Sequence, residues 1–330
     1  MSKNIVIVGA GIGGGSTVAR TLSTKLPSAK ITLINPRPYA ISLPTLPRMT
    51  VSDGNDLFNT ALIPFDKLFT KPNGTFVEGV VESIQANKEG GSVVLADGQQ
   101  FPYDVLVLAP GSHWEGPVEF PIDSTAVPAF LAEQRAQFKK AQKIVLVGGG
   151  AVGEKEVTIV HGDTGIMNST YPAGFRKGLT KSLEARGINV LLGDYVDEIP
   201  APGPTTVKTR KGSVLDADLV VATRGPRPRT EFVAKSLGAA TLDERNQIKK
   251  QVMKAGAHAA IVSANIIAYL SKRPLKPYKG SFEIIVVTNG KGGGQGYLGF
   301  LWGITLGDWF ARLVKAKTLL VPMSRGFMGY

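Results

Sequence analysis

A chain of 330 residues exceeds one ordinary core and points to about two domains, and with 43% hydrophobic and 19% charged residues it is neither disordered nor collagenous. It contains no cysteine, which removes disulfide scaffolds, thiolate-held metals, iron–sulfur clusters and any cysteine nucleophile or redox dithiol. The net charge of +12 favours anionic partners, but the densest basic stretches, 224–229 and 272–279, are broken by prolines and lack interleaved aromatics, so nucleic acid is not the expected partner.

The first residues, Met1-Ser2-Lys3-Asn4, show no signal-type apolar region, and Ser2 stands where myristoylation needs glycine. A soluble cytoplasmic chain is therefore expected. Residues 5–8 are a continuous β-branched run, as in a strand buried on both faces of a parallel sheet. Gly9, Gly11 and Gly14 follow at once with G-x-G-x-x-G spacing, which suits a tight turn, bare backbone against a pyrophosphate, and close packing of helix on strand. Residues 16–26 are expected to be the helix whose N-terminal amides face the phosphates, and 31–34 the next strand. That strand ends at Asn35, where an acid usually holds the ribose. Residues 104–112 form a buried strand running into Ala109-Pro110-Gly111, a turn that carries the chain out of the first unit.

The pattern then repeats: residues 143–153 match 3–14, with Gly148, Gly150 and Gly153 at fingerprint spacing. Two dinucleotide fingerprints suggest one site for a flavin dinucleotide and one for a nicotinamide dinucleotide. The copies differ in their crossovers. Seventeen positions separate Gly14 from Ile31, but only four separate Gly153 from Val157, where a parallel crossover takes about a dozen residues. A non-standard connection, a displaced strand or weak nicotinamide binding must follow. His161 ends the second strand at the ribose-reading position, leaving NADH or NADPH open; it and the other histidines, His113 and His258, stand in unrelated contexts, so no metal site is expected. Residues 172–186 are expected to be a helix closed by Gly187, 188–192 a strand, 205–210 and 213–215 a hairpin, and 219–225 the second return strand.

The two fingerprints, the Ala109-Pro110-Gly111 and Thr223-Arg224-Gly225 returns, the Asn35-Pro36-Arg37-Pro38 to Leu43-Pro44 stretch and the segment 278–330 together resemble the apoptosis-inducing-factor-like NAD(P)H oxidoreductases. These include the ferroptosis-suppressor type and are related to type II NADH dehydrogenases. The resemblance implies an α/β chain with two Rossmann-like dinucleotide-binding domains: a discontinuous FAD domain (1–115 and 230–281), an inserted NAD(P)H domain (116–229), and a small C-terminal α+β segment (282–330). It implies non-covalent FAD, NADH or NADPH as donor, and a quinone or other small electron acceptor. Carried over residue by residue, Gly9, Gly11 and Gly14 would bind FAD and Asn35 its ribose. Arg48, Ala109 and Gly111 would be further cofactor-binding residues, and Gly148, Gly150 and Gly153 would bind NAD(P)H. No side-chain acid, base or nucleophile is assigned.

A second departure concerns the strand and Gly-Asp that such flavoproteins place before the helix aimed at the flavin; between Leu242 and Ala255 this chain has neither, although a helix over 251–270 is expected. Gly193-Asp194 and Gly307-Asp308 stand in the wrong contexts to replace it. The alternative reading is therefore a catalytically impaired, cofactor-poor relative acting as a binding protein. In the C-terminal segment a strand over 282–288 and a glycine turn precede an expected helix with Trp302, Leu306, Trp309, Phe310 and Leu313 on one side and an Asp308–Arg312 pair on the other. With Arg312, Lys315 and Lys317 beside it, this stripe reads either as reversible contact with an anionic membrane surface or quinone access, or as core against the flavin domain. The apolar-leaning run 297–307 is too short to span a bilayer.

Overall fold

The computed structural model describes residues 2–148, 155–238, 252–300 and 303–330. The N-terminal unit is built on β1 (Asn4–Val8), α1 (Thr17–Lys25), β2 (Lys30–Asn35), β3 (Gly74–Glu78) and β4 (Val105–Leu108). The four strands form a parallel sheet in the order β3-β2-β1-β4, with Ile5 paired between Ile31 and Val105. Alternation along β1 assigns its two faces. Ile5 and Ile7 pack with Val18, Ala19 and Leu22 of α1, whereas Val6 and Val8 pack with Val93 and Leu95 of an antiparallel three-stranded meander over residues 81–103.

After α2 (Val127–Lys140), the second unit uses the same plan with β5 (Lys143–Gly148), β6 (Glu156–His161), α3 (Ala173–Glu184), β7 (Asn189–Leu192) and β8 (Leu219–Thr223). Its parallel order is β7-β6-β5-β8. Ile144 and Leu146 face Phe175, Leu179 and Leu183 of α3, and Val145 and Val147 face Val207 and Ala217 of the antiparallel ribbon formed by Thr205–Lys208 and Val214–Ala217. The repeat seen in the sequence thus extends to whole layers: helices on one face, an antiparallel ribbon on the other. The chain is an α/β protein with two Rossmann-like units and a small C-terminal α+β segment.

Each unit also ties its return strand to its first strand in the same way. Asp104, just before β4, accepts from the Asn4 N–H at 2.8 Å and from Lys3 Nζ. Asp218, just before β8, accepts from the Gln142 and Lys143 N–H groups, both at 2.9 Å. These bonds hold both carboxyls below the usual carboxylate range.

The units are joined by two chain segments that run side by side: Ser112–His113 pairs antiparallel with Arg227–Pro228, and the Arg229 N–H donates to Gly111 O. They are also joined by packing, since Phe120, Val127 and Leu131 share a core with Leu46, Met49 and Leu62 of the first unit and Leu319 and Val321 of the C-terminal segment. Beyond the second unit, α4 (Val252–Leu270) returns to the first, where Ala259 and Ile266 pack beside Ile12 and Leu22.

The C-terminal segment departs from expectation. Strands β9 (Ile284–Thr288), β10 (Gly294–Leu298) and β11 (Ile304–Leu306) form an antiparallel sheet against α3, with the Tyr297 ring 5.7 Å from that of Phe175. Leu306 therefore belongs to a strand, and helix begins only at α5 (Asp308–Ala311), which continues as a wide turn over Arg312–Ala316. Trp302 lies outside the described residues. Asp308 does not serve as the helix-surface partner expected of it: its Oδ1 accepts the Gly294 N–H at 2.8 Å and so braces the glycine turn. Neither Trp309 nor Leu313 is core, being 65% and 72% exposed.

Candidate functional site

The Gly9–Gly14 loop follows β1 and Gly148 ends β5, each at the C-terminal edge of a parallel sheet, where open α/β sheets receive ligands. At Gly9 the backbone φ is +93°, and a Cβ would lie 2.1 Å from Ala109 O, so no side chain can stand where the loop crosses the return strand. Gly148 repeats this, with φ +131° and a Cβ position 2.3 Å from Thr223 O. Thr223 also donates its hydroxyl to Val147 O at 3.1 Å, locking β8 to β5 beneath the loop. Gly150 and Gly153 lie outside the described residues.

In the first loop the glycines divide their roles differently from the expected spacing. A Cβ on Gly14 would meet only the Ala109 side chain, at 3.9 Å. The close packing falls instead on Gly15, whose Cβ would lie 1.8 Å from Gly9 O and 3.3 Å from Ile7. Three consecutive glycines at 13–15 hid this in the sequence, because spacing alone cannot choose among them. Gly11 is the opposite case. Its backbone, φ −59° and ψ 137°, suits any residue, and nothing lies within 4 Å of its Cβ position. An opening above a glycine that the fold itself does not require fits a pyrophosphate set against bare backbone. Below the loop, the Ser16 hydroxyl donates to Ala10 O at 2.9 Å and that of Thr17 to Ile12 O at 2.7 Å, fixing the loop to the start of α1.

Asn35 stands beside the loop, with part of its amide already engaged: Oδ1 accepts the Ala10 N–H at 3.1 Å and Nδ2 donates to Arg37 O at 2.8 Å. One amide N–H and one lone pair remain for a ribose hydroxyl. Ala109 and Gly111 flank the loop on the return side, the first through its carbonyl, the second at the linker. Arg48 is engaged by the C-terminal segment. Its guanidinium donates to Ala316 O at 3.2 and 3.3 Å, tying the helix Leu46–Val51 to the C-terminal segment, and burial pulls its pKa down. Tyr39 was not singled out in the sequence, yet its hydroxyl is buried without a partner, and burial pushes its pKa up. In the second unit, His161 Nε2 lies 3.4 Å from Met167 O.

Beside the paired linkers lies an ionic cluster that the sequence showed only as a charge-dense stretch. Glu115 accepts from Arg224 at 2.8 Å and Arg227 at 2.9 Å, and Arg224, then Arg227, hold its carboxyl below the usual range. Glu119 takes Arg229 and the Trp114 N–H. The arginines of 224–229 are thus engaged at the joint between units.

The family model described as pyridine nucleotide-disulphide oxidoreductase matches residues 3–253, from the first loop through the second unit. The chain belongs to the pyridine nucleotide-disulphide oxidoreductase family. This is a family of flavin- and pyridine-nucleotide-dependent oxidoreductases, and the apoptosis-inducing-factor-like resemblance drawn from the motifs holds within it. The chain is 40% identical over 313 residues to FAD-dependent oxidoreductase FVFD30 of Flammulina velutipes, covering 84% of this chain and 98% of that one. It is 25% identical to ferroptosis suppressor protein 1 of Taeniopygia guttata, covering 99% and 96%. That alignment is 372 positions long, so the relative carries stretches that this 330-residue chain skips. Among solved structures, the sulfide:quinone oxidoreductase of Aquifex aeolicus superposes with a TM-score of 0.75 at 17% identity over 99% of this chain and 92% of that one, a likeness of fold. The disulfide in the family's name has no counterpart here, where cysteine is absent from the whole sequence.

Proposed function

We propose that the protein is an FAD-dependent NAD(P)H oxidoreductase that passes electrons to a quinone or similar small acceptor, with FAD on the Gly9–Gly14 loop and NAD(P)H on the Gly148 loop. The observation that carries this reading is the duplicated construction, Gly9 against Ala109 O and Gly148 against Thr223 O, each at the edge of a four-stranded parallel sheet. The chemistry that bound FAD supplies is acceptance of a hydride from a nicotinamide and onward transfer of the electrons. The chain's own residues bind and position. Gly11 leaves room for the pyrophosphate, α1 presents its N-terminus to it, Asn35 offers hydrogen bonds to the ribose, and the Glu115 and Glu119 clusters hold the units at one spacing. Without cysteine, the electrons leave without a protein disulfide as relay.

One observation favours the cofactor-poor alternative for the second site. Strands β5 and β6 lie in ordinary parallel register, Lys143 opposite Glu156, although only seven residues join them. Seven residues are fewer than the roughly dozen that an ordinary parallel crossover takes. Nicotinamide binding at the second loop is therefore expected to be weak. The test is flavin absorbance of the purified protein, followed by NADH or NADPH oxidation with a soluble quinone, in the unmodified chain and in Gly11→Glu. A flavin-free unmodified protein, or unchanged flavin content in Gly11→Glu, removes the assignment.

A further inference from the structure

An open hollow of about 420 Å³ lies where the glycine turn between β9 and β10 meets the stretch that follows α5. Lys291 and Gly292 line it from the turn, Arg312 and Lys317 from the stretch. Every side chain on its walls is therefore a cation, and among the described residues none of the three pairs with a carboxylate. Asp308, the only acid in the sequence after Glu283, is turned to the Gly294 N–H at 2.8 Å. Arg186, just past α3, adds a further positive charge near the turn, its guanidinium 3.7 Å from the place a Gly290 Cβ would take.

The backbone of the turn is as unanswered as the side chains. Gly292 has nothing within 4 Å of its Cβ position and a φ outside the left-handed region, so the fold does not itself require glycine there, as at Gly11. The N–H groups of Lys291, Gly292 and Gly293 have no acceptor among the described residues, although Gly293 is buried. A buried amide without a partner is rare, and successive free amides in a turn form the concavity that receives anions. Both walls stand without a ligand. Asp308 braces the turn, and Lys315 points inward and donates to Val286 O at 2.7 Å, holding the stretch to β9.

We infer that this hollow is a binding site for a soluble ligand bearing two linked phosphate groups, with Lys291, Arg312 and Lys317 on the phosphate oxygens and the free amides of the turn beside them. One phosphate group carries roughly −1.5 to −2 at neutral pH, so three cations are matched by two linked phosphates better than by one. The space allows it, since a water takes only about 30 Å³ of liquid. Preset walls mean that little ordering is needed on binding. No residue of either dinucleotide loop takes part, so the inference does not rest on the redox reading.

The experiment is calorimetric titration of the full chain with inorganic pyrophosphate, repeated with sulfate at equal ionic strength. One saturable pyrophosphate site is expected, with sulfate binding at least about tenfold more weakly, because a single tetrahedral dianion makes fewer of the charged hydrogen bonds. Gly292→Glu should abolish binding, since its side chain enters open space and sets a carboxylate among the cations. Arg312→Gln with Lys317→Gln should weaken it at least about tenfold, and both variants should keep the flavin content of the unmodified chain. Gly11→Glu should bind pyrophosphate as before. The comparison of pyrophosphate with sulfate needs no variant, so a misfolded mutant does not end the test. No saturable binding, or sulfate binding as tightly as pyrophosphate, would overturn the inference. So would binding lost in Gly11→Glu and kept in Gly292→Glu, which would assign the anion to the first loop. Displacement of pyrophosphate by phosphatidylserine vesicles of equal phosphate content would also overturn it, by assigning the hollow to a lipid headgroup.

Discussion

Gly11 and Gly15 are four residues apart in one loop, and the structure sets them opposite consequences when each is changed to alanine. At Gly15 the added methyl would sit 1.8 Å from Gly9 O, 3.0 Å from the Gly9 carbonyl carbon and 3.3 Å from Ile7 Cγ2. Two of these atoms are backbone and cannot rotate away, so α1 must lift from β1 by more than an ångström. Overpacking of this kind costs about 1–3 kcal/mol, and a backbone obstacle places Gly15→Ala at the upper end. Gly11→Ala meets nothing within 4 Å, and its φ and ψ already suit alanine. Reduced freedom of the unfolded chain should make it neutral or stabilising by about 0.4–1 kcal/mol. The variants should therefore differ by about 3–4 kcal/mol in the flavin-free protein, a large part of a typical stability of about 5–15 kcal/mol. Flavin retention should not follow that order. Gly11→Ala places its methyl in the opening and should lose FAD despite its sound fold. Denaturant titration of the apoproteins, with flavin titrated back into each, reads both effects. Equal stability of the two variants, or full flavin affinity in Gly11→Ala, would refute the division of roles.

Asp218 accepts two N–H bonds and its carboxyl is held low; a depressed folded-state pKa gives stability that is present above the ordinary carboxylate range and lost as pH falls through the lowered value. Asp218→Asn should thus be less stable than the unmodified chain at neutral pH and converge with it in acid, as read by denaturant melts over a pH series. Tyr330 is pushed up to about 12, by burial first and then by its hydrogen bond to Asp66, so its contribution is complete below the ordinary tyrosine range near 10 and is lost as pH rises toward 12; an NMR titration of its ring resonances checks this, and Tyr330→Phe should flatten that alkaline loss. Inserting a helix of about a dozen residues after Gly153 should tighten NAD(P)H binding, measured by titration. A low-micromolar dissociation constant in the unmodified chain would show that the short connection does no harm.

Much of this architecture is legible in the residues, and the reason is local. Strands β1 and β5 each carry an unbroken apolar run, Ile5–Val8 and Ile144–Val147, leading straight into glycine, and the spacing of the two runs carried the fold and both loops. Other features depend on contacts that no window of sequence contains. Asp104 and Asp218 look like ordinary polar residues before a strand until their partners, 100 positions away for Asp104 and 75 for Asp218, are in place. Arg48 follows closely on the stretch 35–44 that carries the family resemblance, but the sequence does not show that its guanidinium meets the Ala316 carbonyl, 268 positions on. The stripe through Trp309 and Leu313 shows amphipathicity, but periodicity does not say which face a neighbour covers. Here Ala311 and Ala316 take the buried side and leave the aromatic side open.

The paired linkers at Ser112–His113 and Arg227–Pro228 bear on how freely one unit can move against the other. They pin the inserted unit at a single point, and Phe120, Val127 and Leu131 fasten it again a short way off. Two attachments fix an axis, and any swing about it would strip apolar side chains from their shared core. A swing of one unit against the other would therefore cost apolar burial, and the two are expected to move together.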